Sequence, residues 1–185
     1  MAGGTSLSLQ CGHRLSYDFG FFTNVKFNSN DLKNILSSIG NLEVIYQKDS
    51  TLHCTIDSVN VTFLYYPNKL IDKCNIDNNL KYASLMDIAV MKLVALSSRG
   101  ARKDYFDLYY LIKYKNIDII KVFDNLKIKF EGRDTNLFHI VQSLTYFEDA
   151  LNESEIDMIV KIDFNEIKDY FITVQKILIK KYLIN

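Results

Sequence analysis

Gly3, Gly4 and Thr5 open a short helical stretch through Leu9. Glycines at a helix start let the backbone approach a ligand closely, and the free N–H groups there attract phosphate. Thr5 and Ser6 add hydroxyl donors. A flexible chain start would use the same residues for nothing more. Asp18 follows, on the aromatic-rich run 17–22, which reads as a strand. Strand alternation puts Asp18, Gly20 and Phe22 on one face. A glycine-rich helix start beside an acidic strand is the layout of a metal–nucleotide site. Glycines hold the phosphates, and strand carboxylates hold Mg²⁺. Such a strand normally carries two carboxylates. Here the partner position is Gly20, and an edge-strand charge is the plainer account of Asp18.

A second cluster lies further on. Residues 84–99 are apolar nearly all round, so this helix should be buried. Its charges are Asp87, Lys92 and Arg99, the last two a heptad apart on one face. A buried Lys needs a partner or it loses its charge. That partner is structural, Asp104 or Asp107, or it is a nucleotide phosphate. Arg99, Arg102, Lys103, Asp104 and Asp107 are densely charged. Asp104 and Asp107 share a helix face, and Lys103 is in reach of Asp107 along the helix. One account is a solvated salt-bridge network. The other is phosphate or acceptor binding by Arg99 and Lys103, with Asp104 assisting proton transfer. Lys176, Lys180 and Lys181 form a modest basic end, either a solvated helix face or an RNA contact.

Composition limits what these clusters can be. With 185 residues the chain forms one domain or two small ones. The hydrophobic fraction of 48% supports a core and rules out disorder. Net charge is zero, so nucleic acid is not held by bulk charge and any contact is a local patch. Cys11, Cys54 and Cys74 are widely spaced and expected to be reduced. His13, His53 and His139 lack the spacing of a zinc site. No apolar run approaches the roughly 20 residues that span a bilayer. The expectation is a cytoplasmic protein with no membrane contact.

The elements that must position the clusters follow from pattern. After the strand at 17–22, Ser29-Asn30-Asp31 starts a helix with Leu32, Ile35, Leu36 and Ile39 on one face and Gly40 as its stop. Strands are expected at 42–47, 51–56 and 59–65, with a tight turn at Asp57-Ser58. Ser84 is the N-cap of the buried helix, Asp87 sits at the capping-box position, and Gly100 ends it. Helices follow near 104–114, 119–130, 135–151 and 165–183. The expected fold is α+β: a small mixed sheet with flanking helices over residues 1–80, then a helical bundle over 81–185, with a soft boundary near 75–82.

Together these segments resemble a known family. The run Gly3-Gly4-Thr5-Ser6-Leu7-Ser8-Leu9-Gln10-Cys11-Gly12-His13-Arg14-Leu15-Ser16-Tyr17-Asp18-Phe19-Gly20-Phe21-Phe22 is close to G-G-T-x-L-x-L…G-H-R-x-S-x-D-F-D-F-F. Val59-Asn60-Val61-Thr62-Phe63-Leu64-Tyr65-Tyr66-Pro67 looks like its hairpin strand ending in Y-P. Asp87-Ile88-Ala89-Val90-Met91-Lys92 and Arg99-Gly100-Ala101-Arg102-Lys103-Asp104-Tyr105-Phe106-Asp107-Leu108 match its D-I-A-x-x-K and R-G-x-x-K-D-x-x-D-L blocks. The family is the AbiEii/AbiGii toxin-like nucleotidyltransferases, within the DNA polymerase β-like superfamily. The blocks cover nearly the whole chain in order.

The resemblance implies Mg²⁺-dependent transfer of a nucleoside monophosphate from an NTP to an acceptor. For toxin members that acceptor is thought to be tRNA or another RNA, and a separate antitoxin neutralises them. By position, Gly3, Gly4 and Thr5 would hold the triphosphate, with Arg14 and Ser16 supporting that loop. Asp18 would bind metal. Lys92 would contact phosphate, Arg99 and Lys103 would join in nucleotide binding, and Asp104 would belong to the later acidic motif. Two positions depart from the pattern: Gly20 replaces the second carboxylate of D-x-D, and Thr62 stands where many superfamily members carry a third. Family members usually carry a segment before the glycine pair, so a shortened or degenerate form is expected. The alternative function is therefore a catalytically weakened nucleotidyltransferase fold that binds nucleotide or a partner.

Overall fold

The computed structural model describes residues 1–132 and 135–184. In chain order the elements are α1 (Gly3–Cys11), β1 (Asp18–Thr23), α2 (Ser29–Leu36), β2 (Leu42–Lys48), β3 (Thr51–Ile56), β4 (Val59–Tyr65), β5 (Asn75–Asp77) and β6 (Leu80–Tyr82). The helices α3 (Leu85–Arg99), α4 (Arg102–Tyr114), α5 (Ile119–Lys129), α6 (Leu137–Ser143), α7 (Glu148–Asn152) and α8 (Phe164–Tyr182) complete it. This is the expected mixed α+β fold.

The main sheet has the order β1-β4-β3-β2. β1 is parallel to β4, and the other neighbours are antiparallel. Alternation gives the sheet two different faces. One buries Leu52, Cys54 and Val61 beneath Leu36 of α2, with Phe19, Phe21 and Phe63 packed around them. The other turns Asp18, Gly20, Thr62 and His53 towards a cleft. Asp57 and Ser58 both have positive φ, 49° and 68°, as a two-residue hairpin turn requires. That turn sets the β3–β4 register and hence which residues share the cleft face.

α3 sits at the centre of the second core. Ile88, Ala89, Val90, Leu93 and Leu96 are buried, because α1, α4, α5 and α6 all pack on this helix. Its ends follow the expected chemistry. The Ser84 side chain accepts from Asp87 N at 3.0 Å, and Gly100 closes the helix at φ 58°. The Asp87 carboxylate does more than complete the cap. It accepts from Ile71 N at 3.0 Å and from the buried Lys129 Nζ at 2.5 Å, tying the 66–72 connection to α5.

Two expectations needed correction. The helix expected over 135–151 is broken between α6 and α7. The Tyr105 hydroxyl lies 2.9 Å from Ser143 O and 2.5 Å from Tyr146 O and shares its one proton between these carbonyls, which a continuous helix would have used. α2 ends at Leu36, well before Gly40; Ile35 and Ile39 are exposed, and only Leu32 and Leu36 face the sheet. The soft boundary at 75–82 falls on the β5–β6 hairpin, whose Asn78-Asn79 turn has φ of 45° and 66°.

Candidate active site

A cleft of about 950 Å³ lies between the start of α1, the open sheet face, α3, the start of α4 and the segment after α7. Gly3 and Gly4 form its upper rim. No side chain caps the first turn of α1, and no acidic residue stands there, so its first N–H groups remain open to an anion. The glycines are required by space and backbone. Gly3 has φ 82°. A β-carbon on Gly4 would lie 2.6 Å from Arg14 Nη2 and 3.3 Å from Ser16 Oγ. Thr5 Oγ1 and Ser16 Oγ are 2.8 Å apart, and Thr5 also donates to Asp18 O. Arg14, Ser16 and Thr5 therefore brace the helix start against β1.

Behind this rim is a buried charge network. Asp107 is fully buried. Its Oδ1 accepts from His13 Nε2 and Arg14 Nε, both at 2.7 Å, and its Oδ2 accepts from Arg14 Nη2 at 2.9 Å and pairs with Lys92. Asp104 is also fully buried. It pairs with Lys92 Nζ at 2.8 Å through Oδ1, and with Arg99 at 3.0 Å through Oδ1 and 2.7 Å through Oδ2. Lys92 thus sits between both carboxylates, so both structural partners expected for it are real. Lys103 does not pair with Asp107. It lines the cleft instead and, among the described residues, has no carboxylate partner.

Burial by itself raises the Asp104 and Asp107 carboxyls. The charge of Lys92, then the hydrogen bonds of Arg99 to Asp104 and of Arg14 and His13 to Asp107, outweigh it. Asp104 is held below its ordinary value and Asp107 well below it. Burial opposes the charge on Arg14, but the Asp107 hydrogen bond and the nearby charges of Asp107, Asp104 and Asp18 hold its pKa above the usual value. Three cations, Arg14, Lys92 and Arg99, face two carboxylates, so the network itself carries net positive charge.

Asp18 is exposed at the cleft, and among the described residues its carboxylate has no ion-pair or hydrogen-bond partner. Its strand neighbours explain what is missing. Gly20 lies opposite Thr62, and Thr62 lies opposite His53. A β-carbon on Gly20 would lie 3.1 Å from the Phe22 ring and 3.2 Å from Ala2 O. Ala2 N also donates to Gly20 O at 3.1 Å. The second carboxylate position is therefore both vacant of charge and closely packed.

The donor set decides which metal arrangement fits. Among the described residues, no three His, Cys, Asp or Glu side chains are grouped to hold an ion. Mg²⁺ usually keeps several waters and is held by one or two carboxylates together with substrate phosphates. The free Asp18 carboxylate beside an anion-receptive helix start fits one Mg²⁺ arriving with a triphosphate. It does not fit a preformed cage.

Two parts of the site escaped the sequence reading. Residues 152–157 form one cleft wall. Leu15 N bonds Asp157 O at 2.8 Å, Tyr17 donates to Asp157 Oδ2 at 2.8 Å, and Arg102 N bonds Glu153 Oε2 at 2.8 Å. Nothing local marks this long-range pairing. The histidine spacing gives His53 no metal role, yet the Asp57-Ser58 turn carries the signal. Counting back from it puts His53 opposite Thr62. Lys176, Lys180 and Lys181 are exposed on α8 and do not line the cleft. Among the described residues, no helix is long and apolar enough to cross a membrane.

The chain is similar to known proteins over most or all of its length. An uncharacterized protein of Aquifex aeolicus (strain VF5), aq_aa25, is 33% identical over 189 residues, covering 100% of this chain and 88% of its own length. Two Helicobacter pylori crystal structures share the fold at 18% identity. One, described as a candidate nucleotidyltransferase, has a TM-score of 0.57 over 97% of this chain and 85% of its own. The other, JHP933, has a TM-score of 0.55 over 97% and 83%. The profile of the nucleotidyl transferase AbiEii toxin family, of type IV toxin–antitoxin systems, matches residues 55–177. That match spans α3, α4 and the buried Lys92–Asp104–Asp107 network, and the chain belongs to the AbiEii nucleotidyltransferase family.

Proposed function

We propose that the protein transfers a nucleoside monophosphate from a Mg²⁺-bound NTP to a hydroxyl acceptor on RNA, with tRNA the first candidate. In this reading it acts as the toxin partner of a separate antitoxin protein. The observation that carries the reading is the Asp18 carboxylate, without a hydrogen-bond or ion-pair partner among the described residues, set in one cleft with the start of α1 and with Lys103. Nucleotidyl transfer is mainly positioning and charge neutralisation, and these groups supply both.

Gly3, Gly4 and Thr5 present backbone N–H groups to the triphosphate. Arg14 and Ser16 keep that turn in place. Lys103 and the outer face of Arg99 draw the phosphates into the cleft. Lys92 supplies positive charge from beneath. Asp104 fixes Lys92 and Arg99 rather than reaching substrate, since both of its oxygens are engaged. Asp18 holds the Mg²⁺, which when bound offsets the charge of the phosphates. Transfer of labelled NMP to total tRNA, lost in Asp18→Ala, tests the reading. Labelling that survives Asp18→Ala would overturn it.

One observation favours a second reading, a weakened transferase that binds nucleotide or a partner. Gly20 is packed against Ala2 O, leaving Asp18 without a second carboxylate beside it. This reading expects calorimetric NTP binding with Mg²⁺ but no turnover. Robust wild-type turnover would contradict it.

A further inference from the structure

The chain has three histidines, and two are already engaged. His13 Nε2 bonds Asp107 at 2.7 Å, and His139 Nε2 bonds Ser97 O at 2.9 Å. Among the described residues, neither ring nitrogen of His53 has a hydrogen-bond partner. His53 is half-buried, and it lines the same cleft as Asp18. Tyr46 holds its ring from the β2 side, edge-on, with centroids 5.7 Å apart. The register runs Gly20, Thr62, His53 across three strands. The cleft floor therefore has a carboxylate at Asp18, two neutral positions, and then an imidazole.

An attacking hydroxyl must give up its proton, and a positioned side chain has to receive it. Asp104 is buried and both of its oxygens are engaged. Glu153 and Asp157 already accept hydrogen bonds from Arg102 N and Tyr17, and Glu155 is on the irregular 153–157 wall rather than on the sheet face that carries Asp18. His53 has an open nitrogen, and the unprotonated ring nitrogen of an imidazole accepts a proton.

We propose that His53 takes the proton from the acceptor hydroxyl. The proposal rests on the nucleotidyl-transfer reading. The acceptor O–H proton passes to a ring nitrogen of His53 while the acceptor oxygen forms a bond to the α-phosphorus. The bond from that phosphorus to the α–β bridging oxygen breaks. Pyrophosphate leaves with the electron pair, and His53 returns its proton to water.

The test compares wild type, His53→Ala, His53→Gln and Asp18→Ala in labelled-NTP transfer. Both His53 variants should lose about 100-fold or more in kcat, with the KM for NTP changed less than about twofold, because uniform binding is untouched. Added imidazole should restore part of the turnover of His53→Ala and none of that of Asp18→Ala. A merely structural histidine would not respond to imidazole. His53→Gln keeps the polar shape, and its melting temperature controls for folding. A second readout does not need turnover. With Mg²⁺ and an α,β-methylene NTP, the side-chain NMR signal missing from His53→Gln should shift, while that of His139, bonded to Ser97 O away from the cleft lining, stays still. Full activity in both His53 variants, a loss confined to KM, absence of imidazole rescue, or an unmoved His53 signal in nucleotide-saturated protein would each overturn the proposal alone. An inactive wild type would overturn the transfer reading and the proposal with it.

Discussion

Arg99 and Asp104 grip one another across the Gly100 turn, with Nε to Oδ2 at 2.7 Å and Nη2 to Oδ1 at 3.0 Å. The carboxylate is fully buried, whereas the Arg99 side chain is 53% exposed. One partner therefore belongs to the core and the other to the cleft. Arg99→Ala leaves Lys92 on Asp104 Oδ1 but takes the partner from the buried Oδ2. The cost should lie between that of an exposed pair, about 1 kcal/mol, and the lower end for a broken buried pair, about 3 kcal/mol. It should weaken NTP affinity and lower the urea midpoint modestly.

Lys92→Met should cost more stability. It leaves two buried carboxylates with only Arg14, His13 and Arg99 to compensate. Removing one partner of a buried pair costs roughly 3–5 kcal/mol. Urea denaturation should show a loss of that size, and activity should vanish along with it. A small loss would mean that the network is not buried in solution.

The same two carboxylates set the acid response. Asp104 and Asp107 are held below the ordinary value of 3.8 in the folded protein. As pH falls through about 4, the unfolded chain takes up protons that the folded chain refuses. Their contribution is therefore complete above about pH 5 and is lost progressively in stronger acid. Urea midpoints measured from neutral pH down to about pH 3 should fall, and the slope should flatten in Asp104→Asn. An acid slope identical in wild type and Asp104→Asn would remove Asp104 as a source.

How much of this was legible follows physical range. The Ser84 cap, the Gly100 stop and the Asp57-Ser58 turn are local chemistry, and each stands where the residues indicated. Lys92 was legible as a buried charge in need of a partner, because an otherwise apolar helix admits no other outcome. The grip of Arg14 on Asp107 spans 93 positions, and no local pattern announces it. Residues 152–157 reach the cleft through backbone pairing with the chain after α1, which side-chain periodicity does not encode. The break between α6 and α7 was hidden for a related reason. It depends on the Tyr105 hydroxyl, which arrives from another helix.

Gly20→Asp tests the vacant position in the D-x-D pattern. The new β-carbon meets Ala2 O at 3.2 Å and the Phe22 ring at 3.1 Å, so overpacking should cost about 1–2 kcal/mol. The added carboxylate should enlarge the rise in melting temperature produced by Mg²⁺ with a non-cleavable NTP, since only ligand bound to the native state stabilises it. Scans with and without Mg²⁺ separate the two effects. An unchanged Mg²⁺-dependent rise would show that position 20 does not face the metal.

The central claim is that Asp18 in this cleft supports nucleotidyl transfer. The most direct measurement incubates wild type and Asp18→Ala with labelled NTP, Mg²⁺ and total tRNA, and reads label on the RNA. Label is expected with wild type and none with Asp18→Ala at equal folded protein. Equal labelling by both proteins would contradict it.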